Sequence, residues 1–156
     1  MVQMNIDLAA MQAELIADEK MCRQVYDDAN DAIIRAGVTV VGTPTVGVGR
    51  NLVTKGINNA ESLYLLDNDI EETGAALDQA IPWWVNLDPV RQRGVLNMAF
   101  NLGVGGLLDF VNFLADLQAQ NWKGAALELR SSKWAGQVGE RAVRIENQIL
   151  NGATQP

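Results

Sequence analysis

The sequence predicts an α+β fold, and three observations carry that expectation. An amphipathic stretch opens the chain, short β-branched runs separated by glycine and proline fill residues 32 to 49, and helical periodicity runs almost unbroken from Asn58 onward. With 156 residues, 48% of them hydrophobic and 20% charged, the composition is close to that of ordinary globular proteins. A chain of this length buries roughly 68–70% of its unfolded surface, enough for one folded unit without disulfide staples.

The first helix is expected to start at Asn5 or Asp7, either of which can cap an N-terminus, with Leu8, Met11 and Leu15 forming its apolar stripe. At about 100° per residue Glu19 falls within that stripe, so a carboxylate is placed on the face expected to be buried. The runs Ala32–Ile34, Val38–Val41 and Thr45–Gly49 suit a small antiparallel sheet of hairpins, broken by Gly37 and by Gly42-Thr43-Pro44. In the last run Thr45, Gly47 and Gly49 share one face, and glycines lining a strand often mark close approach by a ligand or another backbone.

Asn58 and Glu61 have the spacing of a capping box, and Leu63, Leu66, Ile70 and Leu77 continue a long helix to about Ala80. Pro82 and Pro89 interrupt and restart the pattern. Val90 to Leu102 is apolar on most sides, as expected of a buried helix that Gly103, Gly105 and Gly106 would end. Further helices are expected over Leu107 to Gln118, Lys123 to Arg130 and Arg141 to Leu150, with Gly152 as a stop.

The composition excludes more than it suggests. There is no histidine, so triads and zinc sites built on imidazole are out, and the single Cys22 has no partner for a disulfide or redox pair. The net charge of −7 argues against nucleic-acid binding, which needs clustered Lys and Arg. No basic amphipathic segment or apolar run of about 20 residues points to a membrane, and the N-terminal stretch, with acids among its apolar residues, does not read as a secretory signal. The glycine-rich stretches lack a phosphate-loop ending. Trp83, Trp84, Trp122 and Trp134 read as core or boundary residues.

Carboxylates are the remaining candidates for proton transfer. An acid on an apolar helix face, Glu19, suits a general acid, and Asp28 in a polar turn suits an ionised base. By pattern alone a chance pairing is the stronger reading, since the chain holds 19 acids.

Linked motifs go further. Asp18-Glu19, Tyr26-x-Asp28 and Thr45-Val46-Gly47-Val48-Gly49 resemble the catalytic segment of the phage-type lysozymes or endolysins, the T-even phage lysozyme family (glycoside hydrolase family 24). The likeness continues in Leu87-Asp88-Pro89-Val90-Arg91, in Asn97-Met98-Ala99-Phe100-Asn101-Leu102-Gly103, in Ser132-Lys133-Trp134 and in Arg141-Ala142-x-Arg144. The resemblance covers nearly the whole chain in order.

What it implies is a single lysozyme-like domain over residues 1–156, with a sheet lobe at about 20–57, a helical lobe at about 1–19 and 58–156, and a cleft between them. The implied activity is hydrolysis of the β-1,4 bond between N-acetylmuramic acid and N-acetylglucosamine, with no cofactor and no metal. Glu19 would be the general acid, Asp28 would activate water, and Thr45 would help hold that water. Gly49, Asn51, Phe100 and Asn101 would bind substrate, and Arg141 would approach Glu19. Inverting chemistry sets the two carboxyls roughly 6.5–9.5 Å apart.

The likeness also implies a monomer whose partner is bacterial peptidoglycan, with no nucleic acid and no membrane insertion. It would rest in the host cytoplasm until a separate holin-like protein lets it reach the cell wall. Three departures stand out. Lys20 occupies the place of a usual glycine, Ala29 to Pro44 reads as an extended hairpin beside the site, and Arg50, replacing a histidine, could pair with Asp67. The rival readings are a lytic transglycosylase and a non-catalytic peptidoglycan-binding phage component.

Overall fold

A computed structural model describes residues 6 to 152. It is α+β, with seven α-helices and one three-stranded antiparallel sheet among the described residues. The candidate cap Asn5 lies outside the described residues; Asp7 caps α1 (Leu8–Glu19), its Oδ1 accepting from the Ala9 and Ala10 amides at 3.0 and 3.1 Å. The expected burial of the α1 stripe does not occur. The helix has no buried residue, Leu8 and Leu15 are exposed, and Glu19 is exposed with them.

The sheet runs in the order β1 (Cys22–Asp27), β2 (Pro44–Gly47), β3 (Arg50–Asn51). Tyr26 pairs with Thr45 and Thr45 with Asn51, so the middle strand carries Thr45 between two neighbours; a bulge interrupts β1 between Cys22 and Tyr26. β1 went unanticipated because its run, Cys-Arg-Gln-Val-Tyr-Asp, carries little apolar alternation.

Two of the expected strands do not form. Ile33 makes one isolated bridge with Tyr26, and Val38–Val41 is loop. Instead of an extended hairpin, residues 28–43 form a loop whose first part is tied antiparallel to β1, Asp27 N–H donating to Ala32 O and Ile34 N–H to Val25 O, both at 2.9 Å. The side chains of Val38, Val40 and Val41 are exposed, so no buried face rewards a strand there, and the Val41 and Gly42 amides are claimed by the Asp27 carboxylate.

The capping box forms as expected. Asn58 N–H donates to Glu61 Oε2 at 2.8 Å and Glu61 N–H to Asn58 Oδ1 at 3.0 Å, opening α2 (Asn59–Ala80). Glu61, and not Asp67, pairs with Arg50. The two guanidinium nitrogens reach Glu61 Oε1 and Oε2 at 2.9 and 2.7 Å, while Arg50 Nε donates to Gly56 O at 2.8 Å. That backbone bond aims the guanidinium at the first turn of α2, whereas Asp67 lies six residues, about 9 Å, further along. Along α2 only Leu77 is buried; Leu63, Leu66 and Ile70 stay exposed.

A 3₁₀ turn over Pro82–Asn86 follows, then α3 (Pro89–Leu108). Gly103, at φ 72° and ψ 155°, is non-helical and ends the first part of α3 where expected, whereas Gly105 and Gly106 lie inside a second helical stretch that runs on to Leu108. The segment expected as one helix from Leu107 is split, α4 spanning Val111–Gln118; α5 (Trp122–Ser131), a missed α6 (Lys133–Val138) and α7 (Glu140–Asn151) complete the chain. Gly152 at φ 58° stops α7.

Several motif residues turn out to be structural. Asp88 caps α3 and holds Arg91 Nη1 at 2.5 Å, and buried Arg91 donates from Nε to Ile149 O at 2.8 Å near the end of α7, lying 3.9 Å over the Trp122 ring. Ser132 caps α6, and Trp134 is buried. The core gathers Leu77, Val95, Met98, Leu107, Phe113, Leu117, Leu129, Ile145 and Ile149, with Trp84 and Trp134 buried and Trp83 and Trp122 packed against it. The chain divides into two compact units, one ending at Ser62 and the other beginning at Leu63, within the first turn of α2.

Candidate active site

The first unit by itself builds a cavity of about 410 Å³. The end of α1 contributes Asp18, Glu19 and Lys20; β1 contributes Tyr26; the loop contributes Asp28 and Asp31; and Thr45, Gly49 and Asn51 come from β2, the turn after it and β3. Five of the residues singled out by resemblance, Glu19, Asp28, Thr45, Gly49 and Asn51, thus surround one space.

Local geometry explains how each gets there. Gly49 has φ +65°, and a Cβ built on it would lie 3.1 Å from Glu19 Oε2 and 3.5 Å from its carboxyl carbon. A glycine is what lets the carboxylate lie against this turn. Glu19 is the last residue of α1, and Lys20 then turns the chain at φ 62° and ψ 160°, its N–H donating to Ile16 O at 3.0 Å. That backbone region is essentially reserved for glycine and costs other residues on the order of 1–3 kcal/mol.

Thr43 organises the other wall. Its N–H donates to Asp28 Oδ1 at 2.5 Å, and its carbonyl accepts from both Asp28 N–H at 3.2 Å and Thr45 Oγ1 at 3.1 Å. One peptide-linked residue therefore fixes both Asp28 and the buried Thr45. Because the Thr45 hydroxyl hydrogen is already committed, its oxygen faces a ligand as an acceptor.

Behind Thr43 stands a residue that sequence reasoning missed. Asp27 is fully buried, and its carboxylate accepts from Val41 N–H at 2.7 Å, Gly42 N–H at 2.8 Å and Ala29 N–H at 3.0 Å. The Val41 bond is the main cause holding the Asp27 carboxyl below its ordinary value; burial opposes it, and the Ala29 and Gly42 bonds add to it. Asp27 so closes the loop that carries Asp28. Gly42 is its counterpart: a Cβ there would collide with Asp28 Oδ1 and Asp27 Oδ1 and lie 2.7 Å from Ala29 Cβ. The signal available in sequence was an Asp-Asp pair before a turn, a common side-chain-to-backbone arrangement.

The cavity is acidic, with Asp18, Glu19, Asp28 and Asp31 against Lys20. Burial, then Coulomb repulsion from Cys22, Asp31, Glu19 and Asp28, pushes the Tyr26 phenol above its ordinary value, so it stays protonated and able to donate. Asn51 Oδ1 accepts from Val53 and Thr54 N–H at 3.0 and 2.9 Å, which orients its amide at the head of the following turn. Among the described residues no group of three acids, cysteines or histidines is arranged to hold a metal ion.

The remaining candidates lie in the second unit. Phe100 and Arg141 line a mostly apolar cavity of about 530 Å³ with Leu66, Ile70, Arg93, Leu96 and Asn97. Asn101 is engaged by the core, its Oδ1 accepting from Trp134 Nε1 at 2.8 Å.

Comparison with known proteins identifies the family of the chain. A family model described as phage lysozyme matches residues 19–147. Probable T4-type lysozyme 1 of Dictyostelium discoideum is 28% identical over 99 residues, covering 62% of this chain and 58% of the relative. Probable T4-type lysozyme 2 of the same organism is 24% identical over 141 residues, 71% of this chain and 82% of the relative. The pre-baseplate central spike protein Gp5 of Enterobacteria phage T4 is 38% identical over 71 residues, 46% of this chain but 12% of that protein. The chain thus spans 58% of the first of these relatives and a small part of the third.

Proposed function

This chain belongs to the phage lysozyme family, and on that premise we propose that it is a muramidase that hydrolyses, with inversion, the β-1,4 bond between N-acetylmuramic acid and N-acetylglucosamine in bacterial peptidoglycan. Glu19 gives its proton to the leaving O4 of N-acetylglucosamine as the bond to C1 of N-acetylmuramic acid breaks. A water held by Asp28 and Thr45 attacks C1 from the opposite face, and its proton passes to Asp28. With the Thr45 hydrogen occupied by Thr43 O, the water donates one hydrogen to Thr45 Oγ1 and the other to Asp28, which turns its lone pair outward.

The observation that supports this reading most is the gathering of Glu19, Asp28 and Thr45 around one cavity, with Gly49 cut back to admit the glutamate. Turbidity clearing of permeabilised cells tests it. Wild type should clear, and Glu19→Gln should clear at least a hundredfold more slowly; equal clearing would remove Glu19 from the reaction. The first-formed reducing end should be the α-anomer by NMR. Anhydro-muropeptides in the digest would instead assign the chain to lytic transglycosylases.

For a lysis enzyme, a separate membrane-permeabilising protein would release the chain from the host cytoplasm to the wall. The match to a central spike protein favours a second setting, in which the same catalytic unit is carried on a virion and opens peptidoglycan at entry.

A further inference from the structure

The first-unit cavity lines four carboxylates and one cation, Lys20, and the proposed substrate is itself anionic through the carboxyl groups of its stem peptides. Coulomb repulsion alone would disfavour such a substrate in this cavity. Lys20 makes no ion pair with any carboxylate among the described residues; its polar contact is the backbone bond to Ile16 O. A cation left unpaired beside four acids keeps its ammonium available to a ligand.

The backbone at Lys20 sharpens the point. At φ 62° and ψ 160° a glycine would sit without strain, yet a lysine occupies the position immediately after Glu19. Strain of this kind persists at ligand clamps, where the side chain supplies something that the relaxed residue would not. Here the side chain is exposed, lines the cavity and adds a positive charge on a four-carbon stem.

We propose that Lys20 is a specificity-determining residue that binds a carboxylate of the peptidoglycan stem peptide and so selects glycan strands bearing free peptide carboxyls over amidated ones. The assignment rests on the hydrolase reading for the identity of the substrate. An ammonium recognises a carboxylate as a point charge with rotatable donors, so lysine and arginine both serve, whereas methionine keeps the length and the backbone strain but loses the charge.

The test is a cycle between the side chain and the substrate carboxyl. Muropeptide oligomers with free stem carboxyls, and the same oligomers with those carboxyls converted to amides, are given to wild type, Lys20→Met, Lys20→Arg and Lys20→Gly, measuring kcat, KM and, by calorimetry, the binding constant. Wild type should lose about two- to fivefold in KM and binding on amidation, the size of an exposed ion pair. Lys20→Met and Lys20→Gly should start at that weaker level and lose nothing further, with kcat unchanged between the two substrates. Lys20→Arg should restore most of the discrimination, and Lys20→Gly should melt at a higher temperature than Lys20→Met.

Equal sensitivity to amidation in wild type and Lys20→Met would overturn the proposal, as would discrimination that survives in Lys20→Gly. If wild type cleaves neither substrate, the hydrolase reading fails, and the calorimetric arm still decides whether Lys20 senses the carboxyl.

Discussion

The two units are stabilised by different means. In the first, the buried residues among those described are Asp27 and Thr45, both polar, each satisfied by nearby backbone groups. In the second, a contiguous apolar cluster runs from Leu77 to Ile149; Arg91 and Glu146 are the unit's buried charged residues among those described, and Arg130 pairs with Glu146. The candidate site sits on the hydrogen-bonded unit, where loop backbone and carboxylates set the positions of the residues around the cavity. An apolar core rewards bulk and shape, whereas a buried hydrogen-bonded carboxylate rewards one geometry and penalises every other.

That contrast predicts separable effects, the largest in the apolar unit. Phe113, 1% exposed and edge-on to Phe110, leaves a large cavity when truncated; Phe113→Ala should cost about 3–5 kcal/mol by denaturant unfolding. Specific activity of the molecules that remain folded should stay near wild type. A large kcat loss in that variant would show that the two units are not functionally separable.

Gly42→Ala should do the reverse. Its Cβ has no room beside the Asp27 and Asp28 carboxylates, so stability should fall by about 1–3 kcal/mol while kcat falls more than tenfold, because Asp28 is displaced. Wild-type activity in Gly42→Ala would refute the role given to the loop closure.

Acid should weaken the first unit through Asp27 and Glu61. Glu61 is held below its ordinary value by the Asn58 N–H first and then by Arg50, and Asp27 by the Val41 N–H first. A depressed folded value means the unfolded chain takes up protons first, so this stabilisation is full only above about pH 5, clear of the ordinary carboxylate range, and disappears as pH falls through the lower folded values. Protection of the Val41 and Gly42 amides, taken relative to their intrinsic exchange rates, should fall in that acid window in wild type, and should already be low at neutral pH in Asp27→Asn. Unchanged protection in Asp27→Asn would deny the carboxylate its part.

The smallest effect is expected at Arg50. Its bidentate pair with Glu61 is partly exposed, so Arg50→Met should cost no more than about 1 kcal/mol, read as a small shift in the denaturation midpoint. A much larger loss would mark the hydrogen bond to Gly56 O as essential to the turn before α2.

Sequence by itself determined the features that are local in the chain. The α+β class follows from periodicity, and helix ends follow from caps that act within a few residues: Asp7 on Ala9 and Ala10, Asn58 with Glu61, and Gly152 after α7. Ordered motifs pointed to Glu19, Asp28, Thr45, Gly49 and Asn51, but not to what holds them. Tertiary structure alone decided that Val41, 14 residues from Asp27, gives its amide to that carboxylate instead of to a strand. It likewise decided that the apolar stripe of α1 stays uncovered and that Arg50 turns to Glu61. These outcomes depend on which of several competing partners reaches a group first in space, and spacing along the chain carries no record of that competition.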